Sequence, residues 1–300
     1  MGLGVSSPPP DAREGQGSGE GQAQGQPLVP PPTRFGHSPL RVAVEVGVVL
    51  GALALALLLI VPWVAGLVVA GLPLSTDRAV GEVAAQSFAA DQQVCSNPVP
   101  VQAVEQVVAA LSAELDPGFE PVKVWVIDSE EVNAFALPGG FVFVMSGLLK
   151  DLRSADELAG VLGHELGHVA LRHGMTRVAR QSAWGVLTLW LLGGSAGSLD
   201  SVAAASVGLV ALRFDRDQET ESDDYGAALL TRAGISPHGL ADFFERLPEG
   251  PVPAWFLTHP EPTARAQRLR ARLGPRLAHD TSPLPPLEAL QAPCQLGGGR

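Results

Sequence analysis

Apolar residues follow three different rhythms along this chain, and each predicts a different kind of element. The first is an unbroken run, VGVVLGALALALLLIVPWVAGLVVAGL at 46–72, 27 residues without a charge. As a helix it is long enough to cross a hydrocarbon layer of roughly 30 Å, and Pro62 is compatible with such a helix where its freed carbonyl finds another partner. The run starts too far into the chain, behind too long a polar leader, for an ordinary cleaved signal peptide. The second rhythm is short and strand-like: VKVWVI at 122–127, and GFVFVM at 140–145 opening on the PGG turn signal at 138–140. NAFAL, at 133–137, lies between them. The third is helical. In SADELAGVLGHELGHVALR at 154–172, Leu158, Val161, Leu162, Leu166 and Val169 recur at helical spacing, and Ser154 with Glu157 forms a capping box. A further helix is expected across 102–115.

Composition divides the chain in the same way. Residues 1–41 are rich in Gly, Pro, Gln and Ser and predict a disordered tail. Residues 42–72 form the expected membrane anchor, 73–282 the large folded domain with an apolar insert at 184–212, and 283–300 a C-terminal tail. Arg34 and Arg41 precede the apolar run, while Asp77, Arg78 and Glu82 follow it, which favours the tail inside and the large domain outside the cell membrane. Cys95 and Cys294, the only two cysteines, either bridge the start of the domain to its tail in an oxidising compartment or stand unpaired. The formal charge of −11 argues against a nucleic-acid surface. Arg265, Arg268, Arg270, Arg272 and Arg276 read as the solvated side of a terminal helix.

The candidate chemistry sits on the helix at 154–172. His164 and His168 are four residues apart, which separates them by about 40° around the axis, so both imidazoles can reach one ion. Glu165, displaced from that line, is suited to accept a proton from a water that zinc activates. A third ligand must come from elsewhere. His173 is rotated by about 140° from His168 and reads as a helix-end or supporting residue. The longer His-Glu-x-x-His-x-x-Gly-x-x-His pattern fails at Leu171 and Gly174. Downstream, Glu219 and Asp223 can share a helix face. Glu219 would complete a site of two histidines and one glutamate holding one Zn2+ per chain, and Asp223 could orient a liganding ring. Glu221 points elsewhere by its spacing.

These segments resemble peptidase family M48, the zinc metallopeptidases that include CAAX-prenyl endopeptidases and bacterial membrane-associated quality-control proteases. The resemblance rests on NAFALPGG at 133–140, HELGHVALRH at 164–173, QETESDDYG at 218–226, AGISPHGLADFFERL at 233–247 and THPEPTARAQRL at 258–269, which occur in family order. Ser222 stands where the family usually has alanine. The resemblance implies a zincin-like (gluzincin) fold, mainly α with a small antiparallel β-sheet. It implies His164, His168 and Glu219 as ligands and Glu165 as the catalytic glutamate. Gly140, Phe141, Val142 and Phe143 would begin an exposed edge strand with which a substrate backbone pairs. His259 would lie near the cleft, steadying the oxyanion or plugging the site by reaching the metal, and Arg265 would fix its loop through a carboxylate. The insert would form a hydrophobic hairpin over the cleft or on the membrane, or pack as core.

The expected reaction is endoproteolysis of unfolded or membrane-associated envelope polypeptides. Two alternatives are processing of a specific membrane or lipoprotein partner, and a chaperone or assembly factor whose site stays plugged.

Overall fold

The structure is a computed structural model that describes residues 38–116, 118–119, 122–191, 214–246, 259, 261–276 and 284–295, the side chains of 184–191 excepted. The tail expected at 1–41 therefore lies outside the described residues up to 37, and so does the insert beyond Leu191. Contacts divide the chain into residues 1–51 and 52–300, and the packed body belongs to the second unit. Helix α1, Pro39–Gly71, runs through Pro62 and is long and apolar enough to cross a membrane. After Pro73 the chain turns into α2, Leu74–Ala90, and Asn97 caps α3, Pro98–Ser112, by accepting from the Val99 amide at 3.0 Å.

Three short strands follow: β1, Lys123–Ile127; β2, Ala134–Leu137; and β3, Phe141–Met145. Their order is β1-β3-β2, with β1 parallel and β2 antiparallel to β3. The sheet is small, as expected, but mixed rather than antiparallel. β3 is its central strand, so the exposed edge strand expected to begin at Gly140, Phe141, Val142 and Phe143 is not there. The reason is legible in its side chains. All five residues of β3 are apolar and buried, the signature of a strand covered on both faces. Phe141, Phe143 and Met145 join Phe135 and Leu137 in a cluster with Ala84 and Ala85 of α2, whereas Val142 and Val144 face the main core with Val104, Val108 and Leu162. The free edge on the side of the histidines is β2.

The main core is built around α5, Ala155–Ala170, which follows the single-turn-and-a-half α4, Ser146–Asp151. Ser154 caps α5 by accepting from the Glu157 amide at 3.2 Å, and every residue from Glu157 to Val169 is buried. α6, His173–Leu191, starts after Arg172, whose φ of 57° turns the chain sharply. α7, Arg216–Arg232, and α8, Gly239–Arg246, pack directly on α5, and α9, Pro262–Leu273, packs on α8. The last described helix, α10, Leu287–Leu290, lies on α3. There Cys294 forms a disulfide with Cys95, and Asn97 donates to the Pro293 carbonyl at 2.7 Å. The two ends of the domain are thereby joined.

Candidate metal centre

Two helices must approach backbone to backbone before their short polar side chains can converge on one point. α5 and α7 do so through small residues: a Cβ on Gly167 would lie 2.8 Å from the Ser222 carbonyl oxygen, and one on Gly226 would lie 2.8 Å from the Gly163 carbonyl carbon. This brings His164, His168 and Glu219 together. His164 Nε2 is 3.1 Å from His168 Nε2 and 3.5 Å from Glu219 Oε2, and His168 Nε2 is 3.4 Å from Glu219 Oε1. Ligands at zinc's usual bond lengths in a tetrahedron lie about 3.3 Å apart, so the three donors already have the spacing of a zinc site. His259 supplies a fourth donor. Its Nδ1 is 3.2 Å from His164 Nε2 and 3.0 Å from Glu219 Oε1, and ligand atoms of all four residues lie within 4.8 Å of one another.

Charge supports the same fit. Three buried carboxylates, Glu165, Glu219 and Asp223, face one buried guanidinium, Arg265. Arg268, partly exposed, reaches Asp223 at 3.0 Å but is itself balanced by Asp224 at 2.6 Å. The excess negative charge in a dry interior favours a divalent cation. Burial pushes the His168 imidazole well below its ordinary value against the pull of Glu219, so the ring is neutral and can donate a lone pair to a metal. Burial pushes the Glu219 carboxyl up, but the His259 and His164 imidazoles outweigh it and hold the group ionised far below the usual range. His164, His168, Glu219 and His259 thus form a group that fits one zinc ion.

His164 and His168 are each held from behind, and by different means. Asp223 Oδ1 is 2.9 Å from His164 Nδ1. That carboxylate is clamped by Arg265, whose Nε and Nη2 donate to its two oxygens at 3.0 and 2.6 Å, and Nη1 of the same guanidinium lies 2.6 Å from Glu219 Oε2. Burial raises the Asp223 carboxyl, but Arg265 beside it keeps it well below its ordinary value. His168 instead meets another ring: its Nδ1 is 2.9 Å from His173 Nδ1, and His173 Nε2 is 3.0 Å from Glu221 Oε2. A carboxylate only accepts, so His173 donates from Nε2, its Nδ1 accepts from His168 Nδ1, and His168 Nε2 is left free for a metal. Phe214 stacks on His168 with ring centroids 3.7 Å apart.

Glu165 is buried beside this group. Its Oε2 accepts from the Ala136 amide at 3.1 Å, and its Oε1 lies 3.4 Å from His259 Nε2. Ala136 is in β2, and its amide points away from β3, so the outer edge of β2 borders the site. The structure therefore gathers His164, His168, Glu165, Glu219, Asp223, His259 and Arg265 in one place. It leaves Phe141, Val142 and Phe143 in the middle of the sheet. The sequence reading missed Ala136, Phe214 and the reach of Glu221 to His173. NAFAL carried the signal for Ala136 as a strand beside a turn, and nothing local marked Phe214.

Known proteins bear on this geometry. Metalloprotease LoiP of Escherichia coli (strain K12) is 41% identical over 170 residues, covering 51% of this chain and 64% of LoiP. Metalloprotease YcaL of the same strain is 37% identical over 161 residues, covering 51% of this chain and 63% of YcaL. The Beta-barrel assembly-enhancing protease of Yersinia pestis is 29% identical over 232 residues, covering 71% of this chain and 47% of that protein. The chain thus spans less than two thirds of the length of each of these relatives. Residues 98–273, from the start of α3 to the end of α9, match the model of peptidase family M48, and the chain belongs to that family.

Proposed function

We propose that this chain is a zinc-dependent metalloendopeptidase of unfolded or membrane-associated envelope proteins, held in the cell membrane by residues 46–72 with its catalytic domain on the extracytoplasmic side. The observation that carries the reading is Glu165, whose carboxylate touches the free edge of β2 while sharing a buried site with His164, His168 and Glu219. Those three side chains would hold zinc, which would supply a Lewis acid for a carbonyl oxygen and for water near neutral pH. Glu165 takes the proton from the attacking water and returns it to the departing amine. An extended substrate lies along β2 and pairs with its backbone, which selects for unfolded chain over any particular side chain. Asp223, Arg265 and His173 keep the ligands oriented while this happens. The similarity to metalloproteases and to a Beta-barrel assembly-enhancing protease supports an envelope role. The Cys95–Cys294 disulfide supports an oxidising compartment.

A second reading has its own observation. His259 Nδ1 takes the fourth corner of the donor group, so the site as it stands is closed by the protein itself, as an assembly factor with a plugged site would require. Metal analysis and casein cleavage separate the two. The protease carries about one zinc per chain and cuts casein, and Glu165→Gln lowers cleavage by about 10²-fold or more with the metal retained. Zinc binding without cleavage of unfolded or membrane substrates would favour the assembly factor.

A further inference from the structure

The outer end of the apolar helix is fastened to the metal-binding helix. Along α1, Leu58, Leu59, Trp63 and Leu67 are exposed, a surface that belongs in lipid. The first charges after the apolar run are Asp77, in the first turn of α2, and Arg78 beside it, so the hydrocarbon boundary falls between Leu72 and Asp77. Arg172 bridges that boundary to the site. Its Nη1 donates to the Leu72 carbonyl at 2.9 Å, and its Nε and Nη2 donate to Asp77 at 2.8 and 2.7 Å. Arg172 is four residues beyond His168, in the turn that ends α5. The edge strand is fastened to the same level: Arg78 Nη1 donates to the Gly139 carbonyl at 2.7 Å, two residues past the end of β2. Asp77, Leu137, His168 and Arg172 even line one small cavity.

We infer that the site works at the lipid surface, on extended segments lying within about five residues of a stretch still embedded in the membrane. The inference rests on the proteolytic reading above and on residues 46–72 lying in a bilayer. From His168 to the Leu72 carbonyl is a distance of at most about 15 Å, the last turn of α5 plus one arginine side chain and its hydrogen bond. An extended chain at about 3.3 Å per residue covers that in about five residues or fewer. A substrate pairing with β2 therefore reaches lipid almost at once. Soluble chains lack this tether and meet the site only by free encounter.

The test varies the substrate and leaves the enzyme whole. The full chain with zinc is placed in phosphatidylethanolamine–phosphatidylglycerol vesicles with single-span substrates. Each carries one cleavable unfolded sequence behind a Gly-Ser spacer of graded length, and cut positions are mapped by mass spectrometry. Cleavage is expected with spacers as short as about five residues. First cleavage only at about fifteen residues or more would overturn the inference while leaving the proteolytic reading intact, because the same sequence is cut as a free peptide in detergent. If the free peptide also survives, the proteolytic reading fails and this inference falls with it. A measurement without catalysis checks the geometry: a fluorophore on Leu171→Cys, at the exposed end of α5, is expected to be quenched by headgroup-attached quenchers. No quenching would overturn the inference.

Discussion

Gly167 and Ser222 touch with no room for a side chain between them, a Cβ on Gly167 falling 2.8 Å from the Ser222 carbonyl oxygen. The metal group depends on that contact, since His168 is the next residue on α5 and Glu219 lies one turn before Ser222 on α7. Gly167→Ala gains up to about 1 kcal/mol of helix propensity but forces the helices apart at a cost of about 1–3 kcal/mol. The second effect wins. Zinc affinity, measured against a chelator, is expected to fall while the helical circular dichroism stays; an unchanged affinity would mean the helices adjust without moving Glu219.

The ring pair behind His168 makes a separate expectation. Glu221 is exposed over 59% of its side chain, so Glu221→Gln should change zinc affinity little. His173 is buried, and His173→Phe leaves His168 Nδ1 without an acceptor; the loss in affinity is expected to be about 10-fold to 100-fold. His173→Asn, which restores an acceptor, should recover part of it. Equal affinity in all three variants would make His173 a packing residue only.

His259 sits where a substrate or water must enter. Each 1.4 kcal/mol favouring that arrangement suppresses turnover about tenfold. His259→Ala is therefore expected to raise casein cleavage on the order of tenfold, with His164, His168 and Glu219 still holding zinc. A fall in cleavage at unchanged zinc content would instead assign His259 to stabilising the oxyanion.

The disulfide closes a separation of 199 residues. In the chain-entropy account such a loop contributes at most about 5 kcal/mol. Cys294→Ser is expected to lower the melting temperature on the order of 10 °C, and reductant should do the same to the wild type but not to the variant. A melting curve indifferent to reductant would deny the bridge a stabilising role.

Local spacing carried much of this site and little of its framework. The interval between His164 and His168 puts both rings on one face because a helix repeats, and Glu219 with Asp223 follows the same rule one helix later. What spacing could not express was pairing. β1 and β3 are parallel, a relation between distant segments, and the five consecutive apolar residues of β3 indicated a strand buried on both faces rather than an edge. Glu221 shows the opposite limit. Its helical position turns it away from Glu219 and Asp223, yet that same direction meets His173 on a neighbouring helix. Phe214 reaches His168 from just before α7 without any periodic mark.

Because Cys95 and Cys294 flank every helix and strand from α3 to α10, the working part of the molecule is a closed covalent ring. A single backbone break anywhere inside that ring, including one the protein inflicts on its own copies, would leave both pieces joined and still attached to α1. Surroundings that reduce the bond would turn the same break into release.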